Sequence, residues 1–87
     1  MPSDTIVILK VYPSEPGVEE AVEQAIRKIK IGKLQEIRKE PLAFGLNVIR
    51  LGVIIPEGQE NLAETLVEEI KKIECVNEVE IEGMTLV

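Results

Sequence analysis

Residues 47–55, NVIRLGVII, decide the fold. Ile49, Leu51, Val53 and Ile55 fall on one face of an extended chain, and Val48, Arg50 and Ile54 on the other. Nine residues dominated by β-branched side chains, apolar on both faces, predict a strand in the interior of a sheet. Residues 4–12, DTIVILKVY, repeat the pattern, with Val7, Leu9 and Val11 against Ile6, Ile8 and Lys10, and Pro13 closes the run. Two strands of this kind predict a sheet with both at its centre.

The remaining segments fit around that pair. Pro13–Gly17 reads as a turn. Val18, Val22, Ile26 and Ile29 then form the apolar stripe of a helix running to about Lys30. Its acidic residues Glu19, Glu20 and Glu23 come early and its basic residues Arg27, Lys28 and Lys30 late, as the helix dipole favours. Gly32 ends it. Residues 33–40, KLQEIRKE, form a polar strand in which Leu34 and Ile37 have opposite parity; it is either an edge strand with a bulge or a weak strand. Pro56–Gly58 turns the chain into a second helix, about Gln59–Ile73, with Leu62, Leu66, Ile70 and Ile73 as its stripe. Val76–Glu82 alternates Val79 and Ile81 with Glu78, Glu80 and Glu82, a second edge strand.

The order is therefore β-α-β-β-α-β. AIRKI at 25–29 and EIKKI at 69–73 echo each other 44 residues apart, which supports two similar halves. The expected fold is α+β, a ferredoxin-like sandwich with a four-stranded antiparallel sheet and two helices on one face. Residues 1–87 make a single domain. Val7, Leu9, Val11, Ile49, Leu51 and Val53 suit the face beneath the helices. The bare face would carry Ile6, Ile8, Val48 and Ile54, flanked by Lys10, Arg50 and the last strand's glutamates. Those four aliphatics form a candidate interface, or else are covered by a loop, by the C-terminal tail or by a second copy.

Composition narrows the function. Hydrophobic residues make up 45% and charged residues 30%, a globular profile. Tyr12 and Phe44 are the only aromatics, so the core must be aliphatic. Sixteen acidic residues against 10 basic ones give a net charge of −6, which argues against direct nucleic-acid binding. The chain has no histidine, which removes the commonest general base and metal ligand. It has no CxxC, no GxGxxG and no phosphate-binding loop. Cys75, the lone cysteine, reads as a small buried hydrophobe. No catalytic residue, metal site or cofactor is expected. The helix glutamates read as solvated faces. The row Glu78, Glu80, Glu82 either protects an edge strand or attracts a basic partner. With no signal sequence and no apolar run near the roughly 20 residues needed to cross a bilayer, the expected location is the cytoplasm, away from membranes.

Phe44 stands between small residues in EPLAFGL (40–46), at the junction of the second and third strands. Pro41 stiffens the approach and Gly45 permits backbone angles that other residues resist. The ring either plugs the end of the core or stands out as an apolar knob for a partner's pocket.

EPLAFGLNVIRLGVII (40–55), in a chain of this element order and length, resembles the archaeal elongation factor 1-beta family. That family is similar to the exchange domain of the eukaryotic factor, where a Pro-Ile-Ala-Phe/Tyr-Gly motif occupies the same junction. The resemblance implies one guanine-nucleotide exchange domain over residues 1–87. It would bind elongation factor 1-alpha, a GTPase, and promote exchange of GDP for GTP, making no covalent bond itself. It further implies partner-binding roles for Phe44, at the motif's aromatic position, and for Pro41, Ala43 and Gly45, which shape the loop. Eukaryotic relatives carry a penultimate Lys that reaches the partner's magnesium site. This chain ends in MTLV, so Leu86 and Val87 are expected to act there sterically, if at all. The alternative is a small ferredoxin-like ligand-binding or regulatory domain that dimerises. It would need a polar pocket of convergent side chains, and the sequence presents no such set.

Overall fold

The computed structural model describes residues 4–43 and 45–86. The elements are β1 (Thr5–Pro13), α1 (Glu19–Arg27), β2 (Lys33–Pro41), β3 (Asn47–Ile55), α2 (Leu62–Lys71) and β4 (Val76–Leu86). The strands form one sheet in the order β2-β3-β1-β4, with every neighbouring pair antiparallel. This is the expected ferredoxin-like arrangement, and the two most apolar strands occupy its centre.

The core follows the predicted face. Val7, Leu9, Val11, Ile49, Leu51, Val53 and Ile55 pack with Val22 and Ile26 of α1, Ala63, Leu66 and Ile70 of α2, and Val79 of β4. Both helices therefore cover the same side of the sheet. They are shorter than their stripes suggest. Ile29 still packs against the core from beyond α1, because its N–H bonds the Ile26 carbonyl at 3.0 Å and tightens the last turn. At the start of α2, Gln59–Asn61 forms turns before regular helix begins.

Both edge strands carry a bulge. In β2 the register steps from Leu34↔Val53 to Glu36↔Gly52, leaving Gln35 as the extra residue. Leu34 and Ile37 thus share the helix side despite their opposite parity, and both pack against the core. In β4 the register steps from Ile8↔Gly83 to Leu9↔Ile81 around Glu82, and the strand continues to Leu86, four residues past its expected end at Glu82.

The bare face differs from expectation. Val48 is 3% exposed and Ile6, Ile8 and Ile54 are half-buried, so the four aliphatics are not an exposed patch. A band of ion pairs crosses this face beside them: Arg50 reaches Glu40 at 3.6 Å and Glu82 at 3.3 Å, and Lys10 reaches Glu82 at 3.8 Å. Gly52 and Gly83 flank Ile8 in the register, and the Ile6 and Ile8 side chains lie over Gly52.

Gly32, between α1 and β2, has φ +67°, and a Cβ there would lie 2.8 Å from both the Ile54 carbonyl oxygen and Val53 Cγ1. Only glycine satisfies the angle and the space together.

Candidate functional site

The junction of β2 and β3 is a tight hairpin at one end of the sheet. Strand pairing ends at Pro41↔Asn47. Beyond it the Leu42 N–H donates to the Leu46 carbonyl at 2.8 Å, and the Leu46 N–H donates to the Ala43 carbonyl at 3.2 Å. Gly45 has φ +75°, the left-handed region that its lack of a Cβ makes accessible. Pro41, Leu42, Ala43 and Gly45 are exposed, Leu42 at 48%. Phe44 lies outside the described residues, but the backbone on either side of it is held in a closed, solvent-facing turn.

The root of this hairpin is braced by a residue that composition and spacing did not single out. Glu19, the first residue of α1, is only 7% exposed. Its Oε1 accepts the Gly17 N–H at 2.9 Å and its Oε2 accepts the Asn47 side-chain amide at 3.1 Å. Its own backbone N–H, then the Asn47 amide and the Gly17 and Asn47 N–H groups, hold this carboxyl below the usual range, against burial, which pushes the other way. The sequence reading placed Glu19 among solvated helix glutamates; the structure shows it as a buried acceptor. Its signal in sequence is its position just after Gly17-Val18 at a helix start, where a carboxylate meets free N–H groups. On the other side of the same end, the Ser14 N–H donates to the Cys75 carbonyl at 2.8 Å, tying the β1–α1 turn to the start of β4. Cys75 itself is half-buried against the core, as a small hydrophobe would be.

Leu86 lies elsewhere. It pairs with Thr5, at the start of β1, whereas the hairpin adjoins the end of β1, where Val11 pairs with Ile49. Nine residues of extended strand separate the two by about 26 Å. Pro41, Ala43 and Gly45 are thus brought together, and Leu86 is not brought to them; a partner touching both must run along the sheet. Val87 lies outside the described residues. Near Leu86's end a cleft of about 470 Å³ opens between the α1–β2 and β3–α2 connections, lined by Asp4, Lys30, Gly32, Lys33, Ile54 and Leu62 among others.

Among the described residues there is no group of three or more His, Cys, Asp or Glu side chains placed to hold a metal ion. Another group moved from its ordinary pKa is Lys72, raised by its hydrogen bond and charge contact with Glu69 at 2.9 Å on an exposed helix end. What the described surface offers at the hairpin is shape and apolar contact. No helix among the described residues is long and apolar enough to cross a membrane.

Known proteins with this sequence pattern agree with one another. An elongation factor 1-beta from Ignicoccus hospitalis is 42% identical over 80 residues, covering 88% of this chain and 85% of its own. Elongation factor 1-beta from Hyperthermus butylicus is 38% identical, covering 91% and 89%, and that from Methanospirillum hungatei is 36% identical, covering 97% and 98%. Among solved structures, the ACT domain of a Chlorobium tepidum GTP pyrophosphokinase superposes with a TM-score of 0.59 over 90% of this chain and 97% of its own; at 15% identity it shares the fold alone. Residues 6–87 match the EF-1 guanine nucleotide exchange domain, nearly the whole chain. The chain belongs to the EF-1 guanine nucleotide exchange domain family, and its role is nucleotide exchange in translation elongation.

Proposed function

We propose that residues 1–87 act as one exchange domain that binds elongation factor 1-alpha in the cytoplasm and promotes replacement of its GDP by GTP. The observation that carries this reading is the family match over residues 6–87, supported by relatives of similar length named elongation factor 1-beta. The domain works by binding. A partner that prefers the nucleotide-free GTPase weakens GDP binding by the same factor that GDP weakens the partner's, so exchange is linkage and needs no reagent from this chain. The absence of histidine is compatible with that role.

Pro41, Ala43, Phe44 and Gly45 form the principal contact in this proposal. The turn is fixed by the Leu42–Leu46 and Leu46–Ala43 hydrogen bonds and by the Glu19–Asn47 brace, so little order has to be imposed on binding. Phe44, the motif's aromatic, is the anchor expected to enter an apolar pocket on the GTPase. Leu86, at the far end of the sheet, makes a second contact in this proposal, and Val87 is assigned to it with Leu86.

The experiment is release of a fluorescent GDP analogue from elongation factor 1-alpha, chased with excess GTP, with and without this chain. Faster release that saturates with chain concentration supports the reading, and release at the uncatalysed rate at every concentration rejects it. The C-terminal contact is best probed by Leu86→Ala. Truncation is unsuitable, because Met84, Thr85 and Leu86 pair with Val7, Ile6 and Thr5.

A further inference from the structure

The two edges of the sheet differ in kind. β2 mixes Lys33, Arg38 and Lys39 with Glu36 and Glu40 and presents no exposed large apolar side chain among the described residues. β4 is 11 residues long, against nine for each other strand, with β1 on one side and no strand on the other among the described residues. The bulge at Glu82 puts Ile81, Met84 and Leu86 on one side of β4, opposite Leu9, Val7 and Thr5. They are 38%, 46% and 70% exposed, three of the four exposed large apolar side chains among the described residues. On the other face Glu78 and Glu80 are exposed and join no ion pair among the described residues, whereas Glu82 is taken up by Arg50 and Lys10. Residues 74–86 contain four glutamates and no Lys or Arg.

An edge that only needs protection is short, or carries charge where a neighbour would pack. This edge is long, with an apolar row on one face and a row of unpaired acids on the other. A second copy docking β4 against β4 would set like charges opposite each other, which is unfavourable. We propose that the free edge of β4 is a docking strand for a basic extended segment or edge strand of the partner GTPase. Main-chain pairing supplies the attachment, Ile81, Met84 and Leu86 the apolar contact, and Glu78 and Glu80 the attraction for Lys or Arg. This rests on the exchange-factor reading and adds to it the chemistry of the surface that the partner must present. It also gives a partner that contacts the hairpin a path along the sheet.

The test compares the wild-type chain with Glu78→Lys/Glu80→Lys and, separately, with Met84→Ser. GDP release from elongation factor 1-alpha is followed against chain concentration, at low and at physiological salt. Thermal unfolding and sedimentation are recorded for each protein. Expected is a rise of about tenfold in the half-saturating concentration for the charge reversal at low salt, narrowing at physiological salt, and about fivefold for Met84→Ser. The maximal release rate should hold, because the hairpin is untouched. Acceleration by the wild-type chain with unchanged half-saturation in both folded variants overturns the β4 proposal and leaves the exchange reading standing. No acceleration by the wild-type chain overturns the exchange reading and the β4 proposal with it. A wild-type dimer that the charge reversal dissociates assigns the edge to a second copy and also overturns the proposal. Should the charge reversal unfold the domain, Met84→Ser decides alone.

Discussion

Asn47 is bound to Glu19: the side-chain amide at the start of β3 donates to the carboxylate at the start of α1, at 3.1 Å and across 28 residues of chain. The same carboxylate accepts the Gly17 N–H, so one buried side chain joins the β1–α1 turn, the first helix and the root of the β2–β3 hairpin. The carboxyl is held below its ordinary pKa, so its folded form favours the charged state. Its contribution is therefore present above the unfolded value, about 4.5, and is lost as pH falls through the lower folded value. Glu19→Gln should lower the unfolding temperature at neutral pH, and the gap from the wild-type chain should close as pH falls from the ordinary carboxylate range through the lower folded value. A gap that is constant with pH would assign the loss to packing instead.

Gly32 should resist substitution most among the turn glycines. At φ +67°, with backbone and side-chain atoms 2.8 Å from the site of a Cβ, Gly32→Ala should cost about 2–3 kcal/mol by denaturant unfolding. Gly45→Ala has a similar angle, φ +75°, but open space around it, and should cost about 1 kcal/mol. Its larger effect should fall on nucleotide release, since it reshapes the hairpin.

Leu66 and Ile70 are the central α2 contributions to the core, which is aliphatic among the described residues, and are 2% and 0% exposed. Leu66→Ala should cost about 3 kcal/mol, within the range for a buried leucine that leaves a cavity. For a domain of this size that is a large share of the total stability, so the loss should appear as a fall of roughly 10 °C or more in midpoint.

The ion pairs on the bare face should matter far less. Arg50 contacts Glu40 and Glu82 with its side chain 37% exposed. Arg50→Met should change stability by less than about 1 kcal/mol, and the difference should shrink in high salt. Urea titrations at two ionic strengths check both points.

The sequence was most readable where one element carried its own pattern. NVIRLGVII gave β3 with the bounds observed, and the doubled apolar faces of β1 and β3 placed both at the centre of the sheet. Parity reasoning faltered at bulges, since an extra residue moves every later side chain to the other face. Gln35 did this in β2, where the sequence left a bulge open as a choice. Glu82 did it in β4, where Gly83 and Met84 break the alternation and hid the strand's last four residues. The bare-face aliphatics were judged by pattern alone, and their partial burial, with Ile6 and Ile8 lying over Gly52, is a tertiary effect. Of the candidate site, the hairpin was legible from Pro41 and Gly45. The Glu19–Asn47 brace was not, because a hydrogen bond between distant segments has no local signature. The separation of Leu86 from the hairpin likewise follows from strand direction, which only the assembled sheet reveals.

The hairpin's part in exchange is tested most directly by comparing the wild-type chain with Phe44→Ala on GDP-loaded elongation factor 1-alpha, following release of labelled GDP with each at the concentration that half-saturates the wild-type chain. Removing a buried aromatic anchor from an interface typically costs about 2 kcal/mol or more, so the variant should slow stimulated release by at least roughly tenfold while unfolding at a temperature close to the wild-type value. A folded Phe44→Ala that releases GDP as fast as the wild-type chain would contradict the assignment of the hairpin as the contact that drives exchange.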